Sequence, residues 1–405
     1  MKPNRLTPPR ITRPLLAGLA LFTLSAQAQP IDAELRTKAR DTADRAIEYL
    51  RGQQDPVTGG WNHRQPAENQ PADNLPAITA LVCNGMLLDP RLDASDPAAR
   101  RGIDYVLSFT QPDGGIYDRI LPSYNTSISL SMLALAGLPE TARAIDRARP
   151  FLIGLQFDES FDGSPESPDF NEPVPPGHPY FGGVGYGKHS RPDLSNLGFF
   201  VQALHDTGLA TTDPAYEKAV AFLSRVQMLD ETNDQPYADG SAQGGFVYAT
   251  TPNADSVDEF VGQSQAGYFE EAVGVGENVR TLTRLRAYGS MTYVGFKSLI
   301  YADLSPSDPR VVAARRWIER NYTLAENPGL GPQGQYYYYA ALARALDAWG
   351  EPTIAGENWR EGLIETLIEL QEPDGSFRVL HERWMEGDEV LITAFALIAL
   401  QTAMN

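Results

Sequence analysis

A ten-residue pattern recurs along this chain and constrains its fold more than any other feature. A complete copy places a basic, a small, an aromatic and an aliphatic residue at fixed positions and ends in glutamine, and in the weak fifth copy Tyr322 stands at the glutamine position. The copies are Arg45–Gln54, Arg101–Gln111 (with one extra residue), Arg147–Gln156, Lys218–Gln227 and two weaker ones, Ala314–Tyr322 and one that ends at Gln371. Six copies of one unit predict a helical repeat protein.

A glycine-aromatic turn follows most copies of the pattern. The turns are Gly59-Gly60-Trp61, Gly114-Gly115-Ile116-Tyr117, Gly182-Gly183-Val184-Gly185-Tyr186, Gly244-Gly245-Phe246 and Gly375-Ser376-Phe377. A more apolar stretch comes after each turn. Each repeat therefore reads as an amphipathic helix, a turn and an apolar helix.

Two alternating kinds of helix follow from these patterns. Amphipathic helices are predicted over residues 32–53, 97–110, 140–155, 214–227, 309–320 and 357–370, and three of them begin with Asp-Pro, a favourable start. Apolar helices are predicted over residues 73–88, 125–138, 193–208, 292–303, 336–348 and 388–403. A helix that is apolar nearly all round is buried on most sides. We therefore expect an all-α fold, an α6/α6 toroid of two concentric rings, with an open solenoid as the alternative.

Two loop-rich insertions interrupt the repeats. Residues 157–192 are rich in Pro, Gly and Asp, and residues 228–291 add a long segment before the fifth repeat. Long segments without strong periodicity are commonly lids or binding loops, so we expect this role here. Disordered decoration of the surface is the alternative.

The N-terminal segment predicts export. Four basic residues precede the apolar run from Leu15 to Leu24, and Ala26-Gln27-Ala28 supplies small residues for cleavage. Residues 1–28 therefore read as a signal peptide and residues 29–405 as one domain, periplasmic or secreted. Removing the signal peptide takes away four positive charges, so the formal charge goes from −19 to −23. Such acidity disfavours nucleic acid as a partner, and no later stretch is long and apolar enough for a transmembrane segment.

The metal-binding residue types are few and scattered. The one cysteine, Cys83, ends an apolar run, which indicates a small buried hydrophobe rather than a nucleophile. The five histidines show no metal-ligand spacing. The sequence therefore predicts no metal site and no cofactor.

The repeat resembles the glutamine-tryptophan repeat of the squalene and oxidosqualene cyclases, which the β subunits of protein prenyltransferases share in looser form. The resemblance covers nearly all of the chain after the signal peptide. It implies an α/α toroid in which each glutamine caps the start of one helix while the aromatic ring stacks on its neighbour. It therefore implies structural roles for Gln54, Gln156, Gln227, Trp61 and Phe377.

The chemical motifs of these relatives are missing. The cyclases protonate a polyene with an Asp-x-Asp-Asp-Thr-Ala motif, and the prenyltransferases hold zinc with an Asp-x-Cys pair. This chain has neither, since Leu81 stands two residues before Cys83. The candidate catalytic acids are Asp73, Asp193 and Asp388, at the starts of three apolar helices, where helix capping is the alternative role.

The turns and the starts of the apolar helices are expected to converge at one end of the toroid. This end would bring together the candidate ligand-binding residues His63, Tyr117, Tyr124, Asn125, His178, Tyr186, Tyr248, Tyr293, Tyr336 and Tyr337. Aromatic walls with carboxylates suit a carbocation or a sugar, so a small apolar ligand or a glycan is expected. The alternative is that the rings only fill the core. Because a helix turns about 100° per residue, at most two of Tyr336 to Tyr339 can face one cavity.

Three functional hypotheses remain open on sequence alone. The first is an exported relative of the terpene cyclases that binds a ligand at the mouth of the toroid, with cyclase or isomerase activity on an isoprenoid. The second is a binding or scaffold module without catalysis. The third is a carbohydrate-active hydrolase or lyase.

Overall fold

A computed structural model describes residues 31–61, 74–161, 173–188, 190–253, 256–273 and 279–405. Within these residues the chain is predominantly helical. The amphipathic helices are α1 (Ala33–Gln53), α3 (Pro97–Leu107), α5 (Pro139–Ile153), α7 (Pro214–Val226), α9 (Pro309–Asn321) and α11 (Trp359–Leu370). The apolar helices are α2 (Pro76–Leu87), α4 (Pro122–Ala136), α6 (Leu194–Asp206), α8 (Gly289–Tyr301), α10 (Gln335–Trp349) and α12 (Glu389–Met404). The predicted signal peptide lies outside the described residues.

Aspartate caps fix the starts of the amphipathic helices. Asp96, Asp213 and Asp308 each precede a proline, and each side chain accepts a hydrogen bond from a backbone N–H of the first turn. Proline has no N–H to satisfy at this position and already has a helical φ. The Asp-Pro pairs therefore begin these helices as the sequence predicts.

The apolar helices pack against one another in sequence. Contacts run from α2 to α4, α6, α8, α10 and α12 in turn, and from α12 back to α2. The amphipathic helices α3, α5, α7, α9 and α11 each pack on an apolar helix next to them in the chain, whereas α1 packs on α12 and α11 near the other end of the chain. Burial follows this division, since nearly every residue of α2 and α12 is buried, whereas the amphipathic helices bury one face.

The repeat glutamines link consecutive amphipathic helices. Gln156 Nε2 donates to the carbonyl of Gly182 in the turn (2.9 Å) and to that of Ala215 in the first turn of α7 (3.0 Å). Gln54 and Gln227 make the same pair of bonds, and Gln371 donates to Thr42 O in α1 (2.9 Å). The glutamines thus donate to carbonyls and do not cap helix N–H groups, which corrects one detail of the expected role.

The first glycine of each turn allows the close approach of the next amphipathic helix. Gly182 has φ +81°, and a Cβ placed on it would lie 1.7 Å from the carbonyl oxygen of Lys218, the basic residue of the next repeat. A Cβ placed on Gly375 would likewise lie 2.3 Å from Arg45 O. A side chain is excluded at both positions, which explains why the turn requires glycine.

The two insertions carry local structure of their own. The described part of 228–291 forms two antiparallel hairpins, β1 (Ala249–Asn253) with β2 (Ser256–Gln263) and β3 (Tyr268–Val273) with β4 (Arg280–Leu285). A third pair, β5 (Thr353–Ile354) with β6 (Glu357–Asn358), precedes α11. Buried aromatic side chains of the first insertion, including Phe157 and Tyr180, pack against Phe260 of β2. The insertions therefore contact each other.

We predict that Gln156→Ala lowers the melting temperature. The substitution removes both hydrogen bonds and leaves buried carbonyls without this donor, at a cost of about 1–3 kcal/mol. Differential scanning fluorimetry measures the change, and Gln53→Ala is the matched control because Gln53 is exposed. Equal melting temperatures for the two variants would contradict the structural role of the repeat glutamine.

Candidate active site

A cavity of ≈ 350 Å³ lies at the N-terminal ends of the six apolar helices. We call it the aromatic cavity because eight aromatic side chains line it. They are Tyr124, Tyr186, Phe199, Tyr248, Tyr288, Tyr337, Trp384 and Phe395. The polar side chains of the lining are Ser195, Gln265, Ser290 and Glu386, and most other lining residues are aliphatic or methionine. The volume lies within the range of small-molecule sites.

Every apolar helix contributes its first turns to this lining. The contributions include Ile78 from α2, Tyr124 from α4, Phe199 from α6, Met291 from α8, Tyr337 from α10 and Phe395 from α12. Of the four consecutive tyrosines in α10, only Tyr337 lines the cavity. The hydroxyls of Tyr336, Tyr338 and Tyr339 donate instead to backbone carbonyls outside the helix. Helical rotation separates the four rings as the sequence predicts.

The insertions supply further walls of the aromatic cavity. Tyr186 comes from the first insertion, and Tyr248, Gln265 and Tyr288 come from the second. Tyr186 lies within hydrogen-bonding reach of Tyr248 and Ser195. The insertions therefore shape the cavity, as expected of binding loops.

The segment before α12 forms the rim of the cavity. Trp384 and Met385 line it, yet 44% of Trp384 remains exposed. Both residues have positive φ, as does Leu121 on the opposite wall. Such backbone conformations cost on the order of 1–3 kcal/mol for bulky residues and are concentrated at functional sites.

Among the described residues, Glu386 is the one carboxylate that lines the aromatic cavity. Its side chain is only 2% exposed, and Oε1 accepts a hydrogen bond from Tyr337 N (2.9 Å) at the start of α10. Oε2 is buried and has no hydrogen-bond partner among the described residues. Burial raises the pKa of Glu386 to about 7, against the opposing effect of the N–H groups at the helix start. The carboxyl group can therefore hold a proton near neutral pH.

Asp193 lies immediately behind the cavity wall. It caps α6, because Oδ1 accepts from Asn196 N (3.0 Å) and Ser195 Oγ (2.8 Å), and Oδ2 accepts from Asn196 Nδ2 (2.8 Å). Burial nevertheless raises its pKa. Capping and a raised pKa therefore coexist here, since the cost of desolvation exceeds the gain from the bonds.

The other two candidate acids are placed differently. Asp388 is a helix cap, with Oδ1 accepting from Val390 N (2.9 Å) and Leu391 N (3.2 Å), and it is absent from the lining of the aromatic cavity. Asp73 lies outside the described residues. The carboxylate that meets the cavity near the start of α12 is Glu386, two residues before Asp388.

Four of the predicted ligand-binding residues line the aromatic cavity: Tyr124, Tyr186, Tyr248 and Tyr337. The structure places the other described candidates elsewhere, which corrects the expected convergence. Tyr117 stacks on Phe151, Asn125 bonds backbone groups of neighbouring segments, His178 packs on Tyr180 and Phe260, Tyr293 packs on Tyr338, and Tyr336 bonds Arg378 O. His63 lies outside the described residues.

Sequence reasoning missed Glu386 and the rim residues. Glu386 sits in a loop with exposed charged neighbours, so the sequence alone gives no sign of its burial. Phe199 and Phe395 lie within apolar helices, where an aromatic residue reads as core. Trp384 offered a signal, because a tryptophan in a polar loop suggests a binding contact.

The site contains groups for binding and proton transfer. Within the described part of the chain, no cluster of three or more His, Cys, Asp or Glu residues could hold a metal ion. Aromatic faces stabilise cations and stack on apolar ligands. One buried carboxyl group can donate or accept a proton.

The similar solved structures include two classes of enzyme. A substrate complex of the type II terpene cyclase MstE from Scytonema aligns over 92% of this chain and 98% of its own, with 13% identity and a TM-score of 0.55. The α-1,6-mannanase of glycoside hydrolase family 76 from Salegentibacter aligns over 90% and 98%, with 10% identity and a TM-score of 0.57. A family 76 glycoside hydrolase from a bovine Bacteroides thetaiotaomicron strain aligns over 90% of this chain and 77% of its own, with 10% identity and a TM-score of 0.56.

These similarities show the fold alone. Both enzyme classes are built on α/α toroids, and this predominantly helical chain resembles them over nearly its whole length. No protein-family model matches the sequence, and a search of curated proteins gives no match. In the part of the chain that is described, no helix is long and apolar enough to cross a membrane.

We predict that Glu386→Gln changes how stability depends on pH. Because the folded pKa of Glu386 is raised above the unfolded value, its contribution is fully present below about pH 4.5 and is lost as the pH rises through about 7. Between pH 5 and pH 8, the free energy of unfolding of the wild type should therefore fall by about 3 kcal/mol relative to that of the variant.

Urea denaturation of both proteins at the two pH values measures this difference. Glu369→Gln is the control, since Glu369 is exposed. A difference between wild type and Glu386→Gln that stays constant with pH would mean that Glu386 is not buried as described.

Proposed function

We propose that this chain is an exported α6/α6 toroid of the terpene cyclase and prenyltransferase repeat class that binds an isoprenoid-like ligand in its aromatic cavity. The observation that carries the proposal is the cavity itself, with eight aromatic side chains and one buried carboxyl group. The closed order of contacts among the apolar helices supports the toroid. The apolar run at the N-terminus supports export.

The composition of the lining favours an apolar ligand over a sugar. A sugar carries several hydroxyl groups that need hydrogen-bond partners, whereas the cavity offers four polar side chains and five tyrosine hydroxyls, of which those of Tyr186 and Tyr248 already bond within the wall. Branched isoprenoid chains bury apolar surface against aromatic and aliphatic walls at about 25 cal/mol per Å². The scaffold hypothesis does not account for a cavity of ≈ 350 Å³ that is lined in part by residues with a strained backbone.

Glu386 is the proposed proton donor to the ligand. In this step the carboxyl O–H bond breaks, a C–H bond forms on a ligand double bond, and a tertiary carbocation results. The aromatic faces stabilise the cation, and Tyr337 N–H stabilises the carboxylate that remains. Loss of a proton from a neighbouring carbon to water gives a neutral isomer or ring, and water reprotonates Glu386.

We predict that geranylgeraniol binds and changes the fluorescence of Trp384. This side chain is half exposed at the rim, so a bound apolar chain should shift its emission to shorter wavelength. Leu391→Trp, which narrows the cavity, should weaken binding about tenfold or more. Val57→Trp is the control, because Val57 is 91% exposed and does not line the cavity.

Trp384→Phe identifies the source of the signal, because four other tryptophans are present. Binding of these variants is also measured by calorimetry, which does not depend on fluorescence. Preferential binding of an α-1,6-mannan oligosaccharide would favour the carbohydrate hypothesis instead. Binding of neither ligand at millimolar concentration would contradict the proposal.

We further predict that protonation leaves an isotopic trace. In D₂O, wild-type protein incubated with geranylgeraniol should yield an isomer with one deuterium bound to carbon, detectable by mass spectrometry. Glu386→Gln should bind with similar affinity but lose turnover by at least about 100-fold. Product without deuterium, or equal turnover by the variant, would refute proton donation while leaving the binding proposal intact.

A further inference from the structure

A second cavity opens toward the opposite ends of the apolar helices. It has a volume of ≈ 430 Å³ and is lined mainly by polar side chains, so we call it the polar cavity. Its lining is Asn84, Leu88, Ser131, Ala134, Leu135, Gln202, His205, Asp206, Tyr301, Arg344, Asp347, Thr402 and Asn405. A constriction of ≈ 50 Å³ separates it from the aromatic cavity, and Lys297 lines that constriction together with Gln202 and Arg344.

Two cations lie where the polar cavity meets the constriction, because Arg344 lines both spaces and Lys297 lines the constriction. Lys297 is 5% exposed and donates to Gln202 Oε1, and Arg344 donates to Asn84 Oδ1 at 2.6 Å. Among the described residues, no carboxylate lies within 4.0 Å of either cation, in contrast to most buried cations. Neither donates to a helix carbonyl in the described hydrogen bonds, so most of the five N–H donors of Arg344 stay available.

The positive charges of Lys297 and Arg344 are balanced only in part by the carboxylates nearby. Asp206 is held by Gln202 Nε2 (2.8 Å), and Asp347 is paired with Arg360 at the outer rim. Burial and the charge of Arg344 lower the pKa of Lys297 to about 7, and Asp206 only partly opposes this. With Lys297 protonated and His205, whose Nδ1 lies 3.4 Å from Asp206 Oδ1, uncharged, the inner end of the polar cavity therefore has one positive charge more than its carboxylate can balance.

We propose that the polar cavity binds a small organic monoanion, with its carboxylate held by Arg344 and Lys297. One excess charge fits a monoanion better than a dianion such as sulfate. The planar guanidinium matches a carboxylate with two parallel hydrogen bonds. Leu88, Leu135 and Tyr301 give the rest of the ligand an apolar surface.

The site is independent of the proposed isoprenoid site. The constriction between the cavities has a volume of ≈ 50 Å³, far smaller than that of either cavity, so each proposed ligand has its own space. Phe199, Tyr337 and Phe395 lie on its apolar side. Failure of one proposal therefore leaves the other standing.

Isothermal titration calorimetry at pH 6 with sodium benzoate tests the proposal. Wild-type protein should bind benzoate and should not bind benzamide, the uncharged analogue, with comparable affinity. Lys297→Met and Arg344→Gln should each weaken benzoate binding about 10- to 100-fold, as expected for loss of a charge-assisted hydrogen bond. Lys38→Met is the matched control, because Lys38 is exposed on α1.

Thermal unfolding shows whether the variants fold. Lys297→Met replaces a buried amine with an apolar side chain of similar size, so it should fold at least as well as the wild type. Benzoate should leave the Trp384 signal of geranylgeraniol unchanged. Equal benzoate binding by wild type and both folded variants, stronger binding of sulfate, or no benzoate binding at millimolar concentration would each overturn the proposal.

Discussion

The glutamine side chain that ends four of the six repeat patterns is the interaction on which the architecture depends. In Gln54, Gln156, Gln227 and Gln371, one amide group donates both to its own turn and to the next amphipathic helix around the ring, so these repeats are tied to their successors. Gln371 makes this link to Thr42, across 329 residues of sequence, and joins the last repeat to the first. Because the turns are held at fixed positions, the apolar helices begin at fixed positions as well.

The aromatic cavity follows from that arrangement. Six apolar helices that begin at the same end bring their first turns together, and large rings at these positions leave a space that they do not fill. The strained residues Leu121, Trp384 and Met385 all border this space. Strain persists only where surrounding structure compensates for it, and here the packed helices provide that compensation.

The sequence predicts the helices well and the site only in part. Period and capping set the helix bounds within a few residues, because these signals are local. Tyr124, Tyr186, Tyr248 and Tyr337 were predictable, since they stand at or near helix starts or in the insertions. Glu386 was not, because its burial depends on how a loop folds over α10. Asp388 stands at the start of an apolar helix, where the sequence analysis places a candidate acid. Because it follows Glu386 by two residues, it caps α12 and does not line the cavity.

Lys297 illustrates a signal that could have been used. A lysine in a helix as apolar as α8 must be buried among helices, and burial of an amine requires a specific reason. The apolar pattern predicts that such a helix is buried in the core, but it says nothing about the role of a single lysine within it. The partner, Arg344, lies 47 residues later on the next apolar helix, so only the packing of α8 on α10 brings the cations together.

The two cavities differ in chemistry because they occupy opposite ends of the same helices. At the N-terminal ends, the helix dipole favours negative charge, yet burial raises the pKa of Glu386 and Asp193. Desolvation therefore outweighs the dipole at both carboxyl groups, and Glu386, with a pKa of about 7, can hold a proton near neutral pH. At the other end, polar side chains and a wider opening hydrate the cavity, while Lys297 and Arg344 lie deeper. A toroid can thus carry an acid in an apolar site and cations in a polar one, with only a narrow constriction between them.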